Sequence, residues 1–185
     1  MVLGLLPDLL SFTRLLASPF IVWLLIGHQY QIALLLTLVA GLTDWLDGYA
    51  ARRLGVSGQF GVVLDPLADK IMLVIVFVGL GVLGLIPMWM LVLAIARDLV
   101  IVTGALLLRI FRNARKFRPV FIGKVSTFFQ IVLVLLTLIY AAYPLGVFDW
   151  LTRIALFSSA FFTTWSGATY IRKGILMARR QWSGD

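Results

Sequence analysis

Long apolar runs separated by short polar breaks set the pattern of this chain. Stretches such as "LLSFTRLLASPFIVWLLIG", "IMLVIVFVGLGVLGLIP" and "IVLVLLTLIYAA" carry almost no charge. They are too long for strands and match the ~20 apolar residues a helix needs to cross a ~30 Å hydrocarbon core. The runs predict six helices, at about 9–27, 30–53, 60–84, 88–110, 121–143 and 149–176. Residues 1–8 read as a short interfacial segment. No polar spacer with a small-residue cleavage site follows the first run, so it reads as a span and not as a removed signal. The expectation is all-α: a single transmembrane domain over 1–185 with six membrane-spanning helices.

Composition supports this. Of 185 residues, 62% are hydrophobic and 13% charged, against roughly 25% charged in soluble chains. A water-soluble domain of this size has nowhere to hide that much apolar side chain. There is no cysteine, no glutamate and one histidine, His28, which argues against disulfides, thiol chemistry and a His-based metal centre or serine triad. The net charge of +8 sits mainly in alternate loops. The connections near "GHQYQ", "GVLGLIP" and "AAYPLGV" hold no Lys or Arg, whereas Arg52 and Arg53, the run "RIFRNARKFRP", and Arg172, Lys173, Arg179 and Arg180 mark the others. By the positive-inside rule, both termini and the basic loops face the cytoplasm; Arg153 is the exception. Lipid headgroups, not nucleic acid, are the expected partners of these bases.

One stretch breaks the apolar pattern. "LTDWLDGYAARRLGVSGQFGVVLDPLADK" holds Asp44, Asp47, Asp65 and Asp69, four of the eight side-chain carboxylates. Asp44 and Asp47 are spaced i, i+3 at the cytoplasmic end of the second predicted helix. Asp65 and Asp69 are spaced i, i+4 at the same end of the third, so each pair shares a helix face. A short turn predicts antiparallel neighbours and lets the four converge. Gathered carboxylates repel unless protonated or bridged by cations. An all-oxygen donor set suits Mg²⁺, Mn²⁺ or Ca²⁺, and four carboxylates have room for two ions. Gly48 and Gly61 clear side chains from the same faces, and Arg52 offers a guanidinium suited to phosphate. The combination reads as a diphosphate site at the membrane surface. Blander readings are ion pairs with Lys70, Arg97 and Lys124, or a proton or cation path as in a transporter.

The spacing D-x2-D-G-x2-A-R-x8-G-x3-D-x3-D resembles the signature of the CDP-alcohol phosphotransferases. It is met without a gap by Asp44, Asp47, Gly48, Ala51, Arg52, Gly61, Asp65 and Asp69. The resemblance implies an enzyme of phospholipid biosynthesis that moves a phosphatidyl group from CDP-diacylglycerol to a hydroxyl and releases CMP. It implies two Mg²⁺ or Mn²⁺ ions held by Asp44, Asp47 and Asp65, with Asp69 as general base and further metal contact. It also implies that Gly48, Ala51, Arg52 and Gly61 contact the cytidine diphosphate, and that the site faces the cytoplasm from a bacterial inner membrane. Dimers are common in the family, which points to a homodimer.

The acceptor is less marked. "IARDLVIVTGALLLRI", "RPVFIGKVSTFFQIVLVLLTL" and "FTTWSGATYIRKG" most resemble eukaryotic-type cardiolipin synthases, whose acceptor is phosphatidylglycerol. Phosphatidylglycerophosphate synthases, which use glycerol 3-phosphate, share the pattern at Gly123, Lys124, Thr127 and Gln130. They typically carry Arg-Glu in the fourth helix, where this chain has Arg97-Asp98. Either acceptor bears a phosphate, so Arg97, Lys124 and Arg118 are candidate acceptor ligands. Adjacent helical residues point about 100° apart, which makes Asp98 a poor expected partner for Arg97. A transporter would want acids along several spans, and the outer halves here are nearly bare. Trp45, Trp89 and Trp150 stand where interfacial anchors belong, and the Phe161–Phe162 pair reads as packing or lipid contact.

Overall fold

The computed structural model describes the backbone of residues 6–54, 61–112 and 121–182, and the side chains of 16–43, 70–104 and 121–176. Six helices follow in order: α1 (Leu6–Ile26), α2 (Tyr30–Leu54), α3 (Gly61–Val82), α4 (Met88–Arg112), α5 (Phe121–Ala142) and α6 (Gly146–Trp182). The described residues contain helices and turns and no strand. Each apolar run becomes one helix, and five of the six end close to where the sequence places them. α6 is longer than expected, at 37 residues. No proline follows Gly174 to stop it, so the helix runs on through its basic end.

α1 packs on both α2 and α3, α5 on α2, α3 and α6, and α4 on α3 and α6. Buried positions recur with helical spacing. Ser18, Ile21, Leu24 and Leu25 turn inward on α1, as do Ala33, Leu34, Thr37 and Ala40 on α2. Ile21, Leu25, Leu80, Ile86, Met90, Leu133 and Leu138 are large, fully buried side chains of the apolar core, joined by Phe77. α1 and α3 approach closely because Gly79 has no side chain; a Cβ there would lie 2.9 Å from Val22 Cγ2. Outward, every helix exposes large apolar residues, among them Trp23, Leu35, Val82, Val102, Phe128 and Phe157. Among the described residues, α5 alone is long and apolar enough to cross a bilayer by length and composition; Leu16–Ile26, Tyr30–Thr43 and Lys70–Val82 are shorter apolar stretches.

The α1–α2 turn contains His28, exposed and at positive φ, with Nδ1 2.6 Å from Tyr30 Oη. Arg153, the exception to the charge alternation, pairs with Asp149 one turn earlier at 3.1 Å. Trp89 and Trp150 are exposed. The phenylalanine pair divides its work: Phe162 stacks on Phe129 of α5 at 4.6 Å, while Phe161 faces outward.

Candidate functional site

The motif aspartates stand on described helical backbone. Asp44, Asp47, Gly48, Ala51 and Arg52 lie in the last turns of α2, Gly61 opens α3, and Asp65 and Asp69 follow within it. Helical geometry places Asp44 with Asp47, and Asp65 with Asp69, on single faces. These side chains lie outside the described ones, and Arg118 lies outside the described residues altogether. Among the described residues no group of three His, Cys, Asp or Glu gathers. The donor set itself fits hard divalent cations: four carboxylates on two helices, in a chain with no cysteine and with its one histidine far off in sequence at position 28.

Next to the last motif aspartate the structure becomes explicit. Lys70 of α3 places Nζ 2.8 Å from Asp98 Oδ2 of α4. This is a contact ion pair: Nζ is buried, and among the described residues it meets no acceptor in hydrogen-bond geometry. The other oxygen of Asp98, Oδ1, accepts a bond from Arg97 Nη1 at 2.8 Å. The expectation that Asp98 partners Arg97 poorly is therefore corrected. The two Cβ vectors diverge, but the arginine stem is long enough to bring the guanidinium back over its neighbour.

Arg97 is 6% exposed. Its Nε donates to Ser166 Oγ of α6 at 3.2 Å, and Nη2 donates to Ser166 Oγ at 3.2 Å and to the Gly123 carbonyl of α5 at 2.9 Å. The sequence allows this because position 123 is glycine. A Cβ there would stand 3.0 Å from Tyr170 Oη and 3.2 Å from Arg97 Nη2. Deeper along α5 and α6, Ser126 Oγ lies 3.1 Å from Thr163 Oγ1, and Gln130 Nε2 donates to Thr163 Oγ1 at 3.3 Å. All are buried. Small and hydroxylated residues at these positions let the two helices come close and bond across the seam.

Above this cluster opens a cavity of about 470 Å³. Lys70, Arg97, Lys124, Thr127 and Tyr170 form its polar side; Ile101, Phe128 and Ile131 form an apolar wall. Phe128 and Ile131 are themselves exposed on the outer surface of α5, so the wall continues onto the flank of the bundle. Thus Arg97 and Lys124 are brought onto one cavity. Lys70, Asp98, Ser166 and Tyr170 were not predicted as site residues. Three segments singled out in the sequence, around Arg97, Gly123 and Ser166, meet here.

Comparison with known proteins agrees with the motif. The model of the CDP-alcohol phosphatidyltransferase family matches residues 4–165. The chain is 35% identical over 146 residues to the chloroplastic CDP-diacylglycerol–glycerol-3-phosphate 3-phosphatidyltransferase 1 of Oryza sativa subsp. japonica, covering 70% of this chain and 44% of that one. It is 35% identical over 145 residues to the cardiolipin synthase (CMP-forming) of Homo sapiens, covering 69% and 48%. It therefore spans about half the length of those two relatives. Against the CDP-diacylglycerol–glycerol-3-phosphate 3-phosphatidyltransferase of Aquifex aeolicus (strain VF5) it is 33% identical over 178 residues, 92% of this chain and 96% of that one. With the family model covering most of its length and all eight signature positions in register, the chain belongs to the CDP-alcohol phosphatidyltransferase family.

Proposed function

We propose that this protein is an integral membrane phosphatidyltransferase that transfers the phosphatidyl group of CDP-diacylglycerol to phosphatidylglycerol, giving cardiolipin and CMP. The observation that carries the choice of acceptor is the two-sided cavity. Lysines 70 and 124 suit a phosphate, and the wall of Ile101, Phe128 and Ile131 suits an acyl chain entering from the side of the bundle. Six apolar helices, large apolar residues exposed on each, and basic inner connections support six spans with the motif at the cytoplasmic surface. A soluble acceptor is the second reading, favoured by the near full-length match to the Aquifex glycerol-3-phosphate enzyme.

In this reading Asp44, Asp47, Asp65 and Asp69 would hold two divalent ions, Mg²⁺ or Mn²⁺, whose charge neutralises the diphosphate when bound. Arg52 steadies the same diphosphate, and Gly48, Ala51 and Gly61 leave room for the cytidine part. Asp69 takes the acceptor's hydroxyl proton as its oxygen attacks the phosphatidyl phosphorus. The bond to the bridging oxygen breaks, and CMP leaves with that electron pair.

The test is CMP release by purified protein with CDP-diacylglycerol and Mg²⁺. Release is expected on adding phosphatidylglycerol and not glycerol 3-phosphate; the opposite result assigns the second acceptor. Asp69→Asn is expected to lower turnover about a hundredfold or more while donor binding persists, and normal turnover would remove its role as base. Because the chain lacks cysteine, single cysteines report topology cleanly. His28→Cys should react with an impermeant maleimide from outside intact cells, and Lys116→Cys should not.

A further inference from the structure

Two cations share one carboxylate beside the motif, and they are held very differently. Arg97 carries five N–H donors. Four hydrogen bonds tie it to Ser166, Gly123 and Asp98 on three helices, leaving one Nη1 donor over. Turning Arg97 toward a ligand would strand Ser166 Oγ, which is fully buried, and break the bond to the Gly123 carbonyl, which would keep only Thr127 Oγ1 as side-chain donor. Lys70 is the reverse case. Its ammonium is buried against Asp98 at 2.8 Å and, among the described residues, meets no acceptor in hydrogen-bond geometry. A buried ammonium with unfilled donors is costly unless something else completes its shell.

Position decides what that is. Lys70 is the residue common to two voids. One is a narrow apolar crevice between α3 and α4 that contains Asp98, Leu73 and Ala94; the other is the open cavity with Lys124. The lysine stem is flexible and its charge compact, so the same side chain serves either void by rotation. Electrostatics favour an anion there. Among the described side chains, Asp98 offsets only one of its two cations, and Lys124 adds a third positive charge to the cavity. When Lys70 leaves, Asp98 keeps Arg97 as partner, so no carboxylate is abandoned.

We propose that Lys70 is the ligand of the acceptor's phosphate, parked on Asp98 until the acceptor enters, and that Arg97 is the fixed positioning residue that keeps Asp98 in place. This rests on the transferase reading above and deepens it. Lys70 directly follows Asp69 on α3. In both phosphatidylglycerol and glycerol 3-phosphate the reacting hydroxyl lies three carbons from the phosphate, so a phosphate held at Lys70 leaves that hydroxyl free to reach the turn of α3 that carries Asp69. Lys70 therefore serves either acceptor, and the choice between them falls to the apolar wall.

The experiment is CMP release by the full-length protein with Mg²⁺, CDP-diacylglycerol and whichever of the two acceptors the wild type uses. Lys70→Met is expected to raise the acceptor KM about tenfold to a hundredfold and to leave the donor KM within about twofold, with Lys70→Arg recovering part of the loss. Asp98→Asn is the second variant. It keeps an oxygen for Arg97 Nη1 but no longer attracts Lys70, so it should lower the acceptor KM severalfold. An unchanged acceptor KM in Lys70→Met, or an equal rise in the donor KM, overturns the assignment of Lys70. An unchanged or higher acceptor KM in Asp98→Asn overturns the parking role of Asp98. A wild type active with glycerol 3-phosphate alone sinks the lipid-acceptor reading and leaves Lys70 in place; a wild type active with neither sinks both.

Discussion

The apolar core and the polar cluster of this bundle are built on opposite rules. Around Ile21, Leu25, Leu80 and Met90, α1, α3 and α4 meet through shape alone. Around Arg97, helices α3 to α6 meet through charge and hydrogen bonds that have direction and fixed partners. Contacts of the first kind tolerate exchange among residues of similar volume. Those of the second kind do not, because removing a member such as Arg97 leaves a buried polar group such as Ser166 Oγ short of a partner. In lipid the contrast sharpens, since tails compete with leucine for apolar surface but offer nothing to a guanidinium. The polar cluster therefore sets the rotation and depth of the helices around the cavity, while the apolar core supplies bulk.

Four measurements press on that contrast. Arg97→Ala should have the largest effect, about 3–5 kcal/mol, because it removes four buried hydrogen bonds at once, leaves Ser166 Oγ without its donor and leaves Asp98 with Lys70 alone. Thermal unfolding in detergent reads it, and a loss smaller than that of a core leucine would break the comparison. Leu80→Ala, fully buried in the apolar core, should cost about 2–4 kcal/mol, with both substrate KM values held in the protein that remains folded; a large KM change would show the core steering the site directly. Gly123→Ala should cost about 1–3 kcal/mol as the new methyl meets Tyr170 and Arg97, and it should raise the acceptor KM more than Leu80→Ala does. Arg153→Ala removes an exposed pair one turn apart. It should change stability by less than about 0.5 kcal/mol, marking how little a solvated ion pair matters beside the buried one.

Much of the fold was legible because the apolar runs are too long for strands. Each became a helix, and the turns near His28 and Gly84 fall where the runs break. The end of α6 was missed because hydropathy marks where the membrane stops and not where hydrogen bonding stops. At the site, the signature aspartates announced themselves by spacing. Arg97 and Lys124 were legible as cations in awkward places. The geometry that separates their roles was not, since only folding shows that Ser166 and the Gly123 carbonyl lie within reach of Arg97. Lys70 was legible only as a possible ion-pair partner of the motif aspartates, whereas its described partner is Asp98. The missed signal was a second cation facing a single helix-four acid.

The length of α6 has a consequence outside the site. Its 37 residues extend about 55 Å at the helical rise, whereas a hydrocarbon core is ~30 Å thick. In the proposed six-span arrangement, even tilted by ~20°, such a rod would overshoot the bilayer by several turns. Its final stretch would stand clear of the headgroups as a mast, with Arg172 and Lys173, both exposed, at the level where anionic lipid phosphates lie.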